Sequence, residues 1–375
     1  MPPSYRVRGS HTASDLGMAD QDHRSALIVG STGIVGNNLA VHLLGHGWSV
    51  AGLARKAVAQ PAGLRPVVAD LQQPGSLRLA MADVRPTHVF LCTWLRQPTE
   101  AENIRVNAAM VGNLLDAVRS AGTVRHVALV TGLKHYLGPF EAYGKGTLPD
   151  TPFREDQPRL DVPNFYYAQE DAVFAAAARD GFTWSVHRPH TIIGYAVGNA
   201  MNMGVTLAVY ASLCQRLGRP FLFPGSPQQW NGLTDMTDAG LLARHLAWAA
   251  TAPAGRNEAF NVVNGDVFRW RWMWSQLAAY FGLAAAEYPG HATPLEQQMA
   301  GDATPWAALA AERGLVETDV HRLTSAWHTD ADLGRPLEVL ADMNKSRRAG
   351  FMDAQPTLDA FLALFDRLRR ERLIP

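Results

Sequence analysis

The segment Ala26-Leu-Ile-Val-Gly-Ser-Thr-Gly-Ile-Val-Gly36 decides the fold. It starts as an unbroken apolar run, ALIVG, the pattern of a parallel strand buried on both faces. A turn spaced G-x-x-G-x-x-G follows (Gly30, Gly33, Gly36) and opens onto a helix with Leu39, Val41, Leu43 and Leu44. Gly30 permits the tight turn, Gly33 lets the backbone approach a phosphate, and Gly36 lets helix pack on strand. Downstream the alternation repeats, with strands expected at WSVAGLAR, PVVAD, THVFLCTW, HVALVTG and FTWSVHRPHTIIG. Helices are expected over about 38–46, 77–84, 107–120, 164–178 and 203–216, and further strands at FLFPG and EAFNVVNG. Alternating strand and helix predicts an α/β fold, a doubly wound parallel sheet. The domain reading is a lead-in over 1–24, a nucleotide-binding domain over 25–200 with strands returning from about 220–265, and a mainly helical cap over 201–375.

Composition narrows the class. The 375 residues are 47% hydrophobic and 18% charged, which is globular. Thirty-four basic residues balance thirty-four acidic ones, so net charge gives no reason to seek nucleic acid. Only Cys92 and Cys214 are present, which fits a reducing compartment and a cytoplasmic location. No apolar run reaches the ~20 residues that cross a bilayer. Residues 1–24 lack an apolar core and read as a disordered, non-secretory extension, with Met18 an alternative start. His42 and His46 have metal-ligand spacing without a third ligand, so no metal is expected. A homodimer is the base-rate assembly.

The glycine turn at a helix start is a site for a dinucleotide pyrophosphate. Thr32, Ile34 and Val35 belong to that cradle. The second strand ends in Arg55-Lys56 with no acid nearby, which favours the 2′-phosphate of NADPH. Asp70 meets the adenine or caps the next helix, and Leu71 stands beside it. Thr93 and Trp94 follow the fourth strand, Thr131 and Gly132 the fifth, Pro189 and Ile192 the sixth. All six are expected on the cofactor. Trp94, Phe140, Tyr195, Met201 and Met203 are expected on the substrate side, although residues of these types serve equally well as core.

Size and turn suggest an extended short-chain dehydrogenase, yet none of the nine tyrosines has Lys four residues on. Tyr166 is followed there by Glu170 and Tyr167 by Asp171. Instead, TGLKHYLGPF (131–140) follows the fifth strand and NFYYAQED (164–171) opens the next helix. With GSTGIVG, WSVHRPHTIIG, NEAFNVVNGDVFRW and DMNKSRRAGF, these segments resemble the progesterone 5β-reductase/iridoid synthase-like branch of the short-chain dehydrogenases, along nearly the whole chain. The resemblance implies a Rossmann domain with a helical substrate cap, and NADPH-dependent 1,4-reduction of an enone or enal. It assigns Lys134 as the catalytic lysine and Tyr166 as the catalytic tyrosine, with Tyr167 the alternative one residue on.

The chemistry agrees with that assignment. Hydride addition to the β-carbon leaves an enolate oxygen, which a phenol hydroxyl and an ammonium stabilise. Only four lysines occur against thirty arginines, so a retained Lys134 suggests a need for a compact ammonium. His190 stands where plant members carry a small residue; it narrows the pocket or bonds the cofactor amide, against bulky steroids. His135 should point away from Lys134. A carbonyl reductase or nucleotide-sugar epimerase on the same fold, or a non-catalytic NADP(H) sensor, are the rival readings.

Overall fold

The computed structural model describes residues 24–58, 60–139, 142, 150–198 and 201–375. Phe140 and nearly all of the expected N-terminal extension lie outside them. Seven strands form one parallel sheet: β1 (Ser25–Val29), β2 (Ser49–Ala54), β3 (Arg65–Val68), β4 (His88–Leu91), β5 (His126–Val130), β6 (Thr183–Pro189) and, after a small pair β7 (Ile192–Ile193) and β8 (Thr237–Asp238), β9 (Glu258–Val262). Their order is β3-β2-β1-β4-β5-β6-β9. The order reverses between β1 and β4, where Ile28 pairs with Gly52 on one side and Phe90 on the other. Such a switch point opens a crevice at the carboxyl ends of the strands.

The apolar run of β1 is buried on both faces, and alternate residues show why. Ala26 and Ile28 pack with Leu39 and Leu43 of α1 (Ile34–Gly45) and with Leu242 and Leu246 far down the chain. Leu27 and Val29 face Leu77 of α2 (Pro74–Met81), Leu114 of α3 (Glu100–Arg119) and, beyond the short α4 (Lys134–Leu137), Val173 of α5 (Phe165–Asp180). This is a doubly wound Rossmann sheet.

The C-terminal region is mainly helical: α6 (Met203–Leu217), α7 (Pro227–Asn231), α8 (Ala239–Thr251), α9 (Trp270–Tyr280), α10 (Leu295–Gln298), α11 (Ala303–Arg313), α12 (Ala326–Leu333), α13 (Asn344–Arg348) and α14 (Thr357–Arg370). Of these, α8 covers the sheet beside α1. Helices α6, α9, α11 and α14 enclose a separate core around Tyr210, Trp274, Trp306 and Phe365.

Two expectations need correction. FLFPG is not a strand. Pro220 precedes it and Pro224 lies within it, and both remove ladder donors; Phe221 makes only an isolated bridge to Ala285 while stacking on Trp274 at 4.1 Å. Helix α3 begins at Glu100 rather than Asn107, because Thr99 caps it by accepting the Glu102 N–H at 3.3 Å. The T-x-x-E signature for that cap is legible in the sequence.

Candidate active site

Two connected hollows lie along the switch point. The smaller, of about 630 Å³, runs from the glycine turn past Arg55, Asp70 and Leu71 to Thr93 and Trp94. The larger is an open cleft of about 1520 Å³ including its mouth, which continues from Thr32, Gly33, Ile34 and Val35 to Lys134 and Tyr166.

The turn has the shape its glycines predict. Gly30 has φ +85°, and a Cβ there would stand 2.8 Å from the Thr93 Cβ. A Cβ on Gly36 would sit 2.2 Å from the Gly30 carbonyl oxygen, so Gly36 supports the cradle from below and does not line it. Gly33 caps α1 without a side-chain hydrogen bond. The first N–H groups of α1 therefore meet no internal side-chain acceptor, which suits a pyrophosphate. Arg55 lines both hollows, whereas Lys56 is exposed and lines neither. Asp70 accepts the Gln72 N–H at 2.9 Å, and α2 is capped by Gln73, so the helix-cap reading of Asp70 does not hold.

Lys134 and Tyr166 come from different elements and line the same cleft. Lys134 opens α4 directly behind Thr131 and Gly132 and is 8% exposed; Tyr166 lies in the first turn of α5 and is 7% exposed. A Cβ on Gly132 would be 3.3 Å from the Tyr166 hydroxyl, so that hydroxyl lies against the loop after β5. The neighbouring Tyr167 is committed elsewhere: its hydroxyl donates to the His135 carbonyl at 2.5 Å and accepts the Leu160 N–H at 3.0 Å. Glu170, at the position where the common motif has its lysine, is buried and pairs with Arg159 at 2.7 Å. Arg188 stands 3.6 Å from it and donates to the Tyr136 hydroxyl at 3.1 Å. His135 lies 3.7 Å from the same carboxylate, away from the cleft, and burial lowers its pKa.

The remaining predicted residues divide. Trp94, Pro189, Ile192 and Met201 line the cleft. Tyr195 does not; its ring lies under the Arg367 guanidinium at 3.5 Å. Burial and Glu371 push its phenol up to about 12. Met203 is buried at the start of α6 and lines a small inner cavity behind His190, not the cleft. His190 lines the cleft but has no ring nitrogen for a cofactor amide. Arg335 donates to its Nε2 at 2.5 Å, so Nδ1 carries the proton and donates to Asp235 at 2.8 Å.

The sequence reading missed His328, Asp332 and Arg335, which line the cleft from α12 and the residues after it. Asp332 pairs with Arg335 and accepts from the Thr191 hydroxyl at 2.7 Å. Burial alone would raise its carboxyl, but Arg335 and His328 outweigh that and hold it at about 2. Two titratable residues four apart on a short helix, His328 and Asp332, were the available signal.

Comparison with known proteins gives this arrangement a family. The description "PRISE-like Rossmann-fold domain" fits residues 68–375. The chain is 38% identical over 365 residues to an (S)-8-oxocitronellyl enol synthase of Camptotheca acuminata, covering 93% of each. It is also 38% identical, with 93% of each covered, to a 3-oxo-Delta(4,5)-steroid 5-beta-reductase of Arabidopsis thaliana. Among solved structures, UDP-glucose 4-epimerase of Thermotoga maritima superposes with TM-score 0.64 at 14% identity, covering 92% of this chain and 99% of that one. The Bordetella bronchiseptica enzyme WbmH, solved with NAD+, gives 0.61 at 15% identity, covering 92% and 98%. The latter two share the fold. The protein is thus an oxidoreductase on a dinucleotide-binding Rossmann fold. It belongs to the PRISE-like family.

Proposed function

We propose that this enzyme reduces the C=C bond of an α,β-unsaturated ketone or aldehyde, using NADPH. The observation that carries the reading is that Lys134 and Tyr166, from separate elements, line one cleft that begins at the glycine turn. The relatives named above, an enol synthase and a steroid reductase, act on substrates of related chemistry.

The cofactor would lie with its pyrophosphate on the first turn of α1, its adenine between Asp70 and Leu71, and its 2′-phosphate at Arg55. When bound, NADPH would supply the hydride for the β-carbon, and the enolate so formed then takes a proton at its α-carbon, from water or from the Tyr166 hydroxyl, to give the saturated carbonyl. Tyr166 donates a hydrogen bond to the substrate carbonyl oxygen and strengthens it as that oxygen becomes an enolate. Lys134 adds a positive charge beside the developing oxyanion and favours the ionised phenol. Trp94 stacks on Phe165 at 4.9 Å and gives the cleft an apolar flank next to Tyr166. Two free cysteines fit a cytoplasmic setting, and no helix among the described residues is long and apolar enough to cross a membrane. A homodimer is the assembly we expect, with no nucleic-acid partner.

The test is NADPH consumption with 2-cyclohexen-1-one and identification of the product. Cyclohexanone is expected. Tyr166→Phe and Lys134→Met should each lower kcat/KM by about 10²–10³ while NADPH still binds. The allylic alcohol as product would make the enzyme a carbonyl reductase instead. Tight NADPH binding with no turnover would make it a sensor.

A further inference from the structure

The helix that opens on Lys134 spans only Lys134–Leu137, too short to hold itself without outside support. Its carbonyls show where that support comes from. The Lys134 carbonyl accepts the Gly138 N–H at 2.9 Å and the Asn164 side-chain amide at 2.7 Å. The His135 carbonyl cannot be served in the ordinary helical way, because the residue four positions on is Pro139, which carries no N–H. A buried carbonyl without a donor is costly, and Tyr167 of α5 supplies one. Its hydroxyl donates to the His135 carbonyl at 2.5 Å and accepts the Leu160 N–H at 3.0 Å.

A hydroxyl has one proton to give, and this one is given to the helix. Burial raises the Tyr167 pKa and keeps the phenol a donor. The ring is held on two sides. The Arg159 guanidinium lies 4.8 Å from its centroid, and the His135 ring meets it edge-on at 5.2 Å. Arg159 is fixed in turn by Glu170 at 2.7 Å and Asp171 at 2.8 Å. Tyr167 is buried and lies outside the cleft.

Two successive carbonyls of α4 are thus gripped from the N-terminal end of α5. The bond at Lys134 fixes a point about which so short a helix can still turn. The bond one residue on removes that rotation and sets the direction in which Lys134 leaves the backbone. We propose that Tyr167 is a positioning residue for the reaction, its hydroxyl aiming Lys134 at the oxyanion that Tyr166 bonds, without touching substrate or cofactor. The inference rests on the cleft being the enone site argued above. The paired tyrosines then divide the work, one hydroxyl for the substrate and the next for the helix that carries the lysine.

The experiment uses the full chain and counts active sites by the stoichiometry of NADPH binding. A variant that is merely less stable then shows fewer sites and an unchanged kcat per site. Tyr167→Phe removes the hydroxyl alone. With 2-cyclohexen-1-one its kcat per site should fall about tenfold or more, with KM for NADPH changed less than about threefold. In a Lys134→Met background the same substitution should change kcat less than about threefold, because no lysine is left to aim. An unchanged kcat per site in Tyr167→Phe overturns the inference, and so does the full fall persisting without Lys134. If Tyr167→Phe does not fold, Arg159→Met carries the test, since it uncovers one face of the ring and keeps the hydroxyl. Its kcat per site should fall about threefold, and an unchanged value overturns the inference. Failure of the reduction reading is seen separately, in unsubstituted protein that binds NADPH and reduces no C=C bond.

Discussion

Asn164 donates from its side-chain Nδ2 to the backbone carbonyl of Lys134 at 2.7 Å. The other end of the same amide, Oδ1, accepts the Tyr166 N–H at 3.0 Å and caps α5. One buried side chain, 4% exposed, thus fixes the start of α4 relative to the start of α5. Those two starts carry Lys134 and Tyr166, which the common short-chain arrangement would place on a single helix.

A substitution separates the two jobs of Asn164. Asn164→Asp keeps a good N-cap but has no donor for the Lys134 carbonyl. We expect kcat to fall by about ten- to a hundredfold, with KM for NADPH changed less than threefold and helicity retained. Asn164→Ala should lose the cap as well, at about 1 kcal/mol of stability. Steady-state kinetics and thermal melts of both variants check this. Full kcat in the Asp variant would show that the Lys134 contact only stabilises the loop.

Arg55 ends the approach to the smaller hollow and is the cation that lines both chambers among the pair expected from the sequence. Arg55→Ala should raise KM for NADPH by about tenfold or more, leave KM for NADH nearly unchanged, and weaken the salt dependence of NADPH binding. Lys56→Ala should do far less, since Lys56 lies outside both hollows. Equal effects of the two substitutions would mean that the phosphate is held by a diffuse positive field rather than by the Arg55 fork.

The legible parts of this protein are those set by local sequence. The glycine turn could be read because three residues within one turn and one helix start dictate its shape. Lys134 and Tyr166 could be read because each begins an element at the sheet's carboxyl edge. The cap wall could not. His328, Asp332 and Arg335 reach the cleft through packing of α12 against α6 and α10, and nothing near them in sequence names their neighbours. Tyr195 failed for the opposite reason. It follows β6 closely, but β7 pairs with β8 there, and the chain passes beside α14, where Arg367 covers the ring. FLFPG shows that an apolar run bounded by prolines can fill a helical core instead of joining a sheet.

Gly36 gives a direct test of the cradle. A Cβ at that position would fall 2.2 Å from the Gly30 carbonyl oxygen and 2.8 Å from the Ser31 Cα, both backbone atoms that cannot move aside cheaply. Gly36→Ala should cost about 3 kcal/mol or more and abolish NADPH binding in whatever fraction folds. Gly45→Ala, on the same helix with nothing within 4 Å of a new Cβ, is the control and should be neutral or slightly stabilising. Unimpaired NADPH affinity in Gly36→Ala would remove the glycine turn from the binding site.

A chain of histidines behind the sheet predicts how stability depends on pH. His126 contacts Thr183 and Ser185, Ser185 contacts His187, His187 contacts His245, and His245 contacts Ser346, with all distances 2.9–3.0 Å. The Thr183 hydroxyl also meets the Arg125 carbonyl at 3.1 Å, and a carbonyl can only accept. Thr183 therefore donates there and accepts from His126 Nδ1. In turn His126 Nε2 accepts from Ser185, Ser185 accepts from His187 Nε2, His187 Nδ1 accepts from His245 Nδ1, and His245 Nε2 accepts from Ser346. Every ring is neutral with both nitrogens bonded, and there is no site for an added proton. Burial holds His126 and His245 down at about 3, His88 and Arg256 adding to the effect at His126. Burial, with His245 and His126 adding to it, pushes His187 well below its ordinary value. Unfolded histidine titrates near 6.5, so below that pH the unfolded chain binds more protons than the folded one. Stability should be full above about pH 6.5 and fall as the pH drops, by about 2 kcal/mol per histidine at pH 5. His245→Gln can still donate to His187 and accept from Ser346. Chemical denaturation from pH 8 to pH 5 should show the variant less stable at pH 8 but with a slope shallower by about one proton below pH 6.5. An unchanged slope would mean that His245 already takes up its proton in the folded protein, and the neutral chain would be wrong.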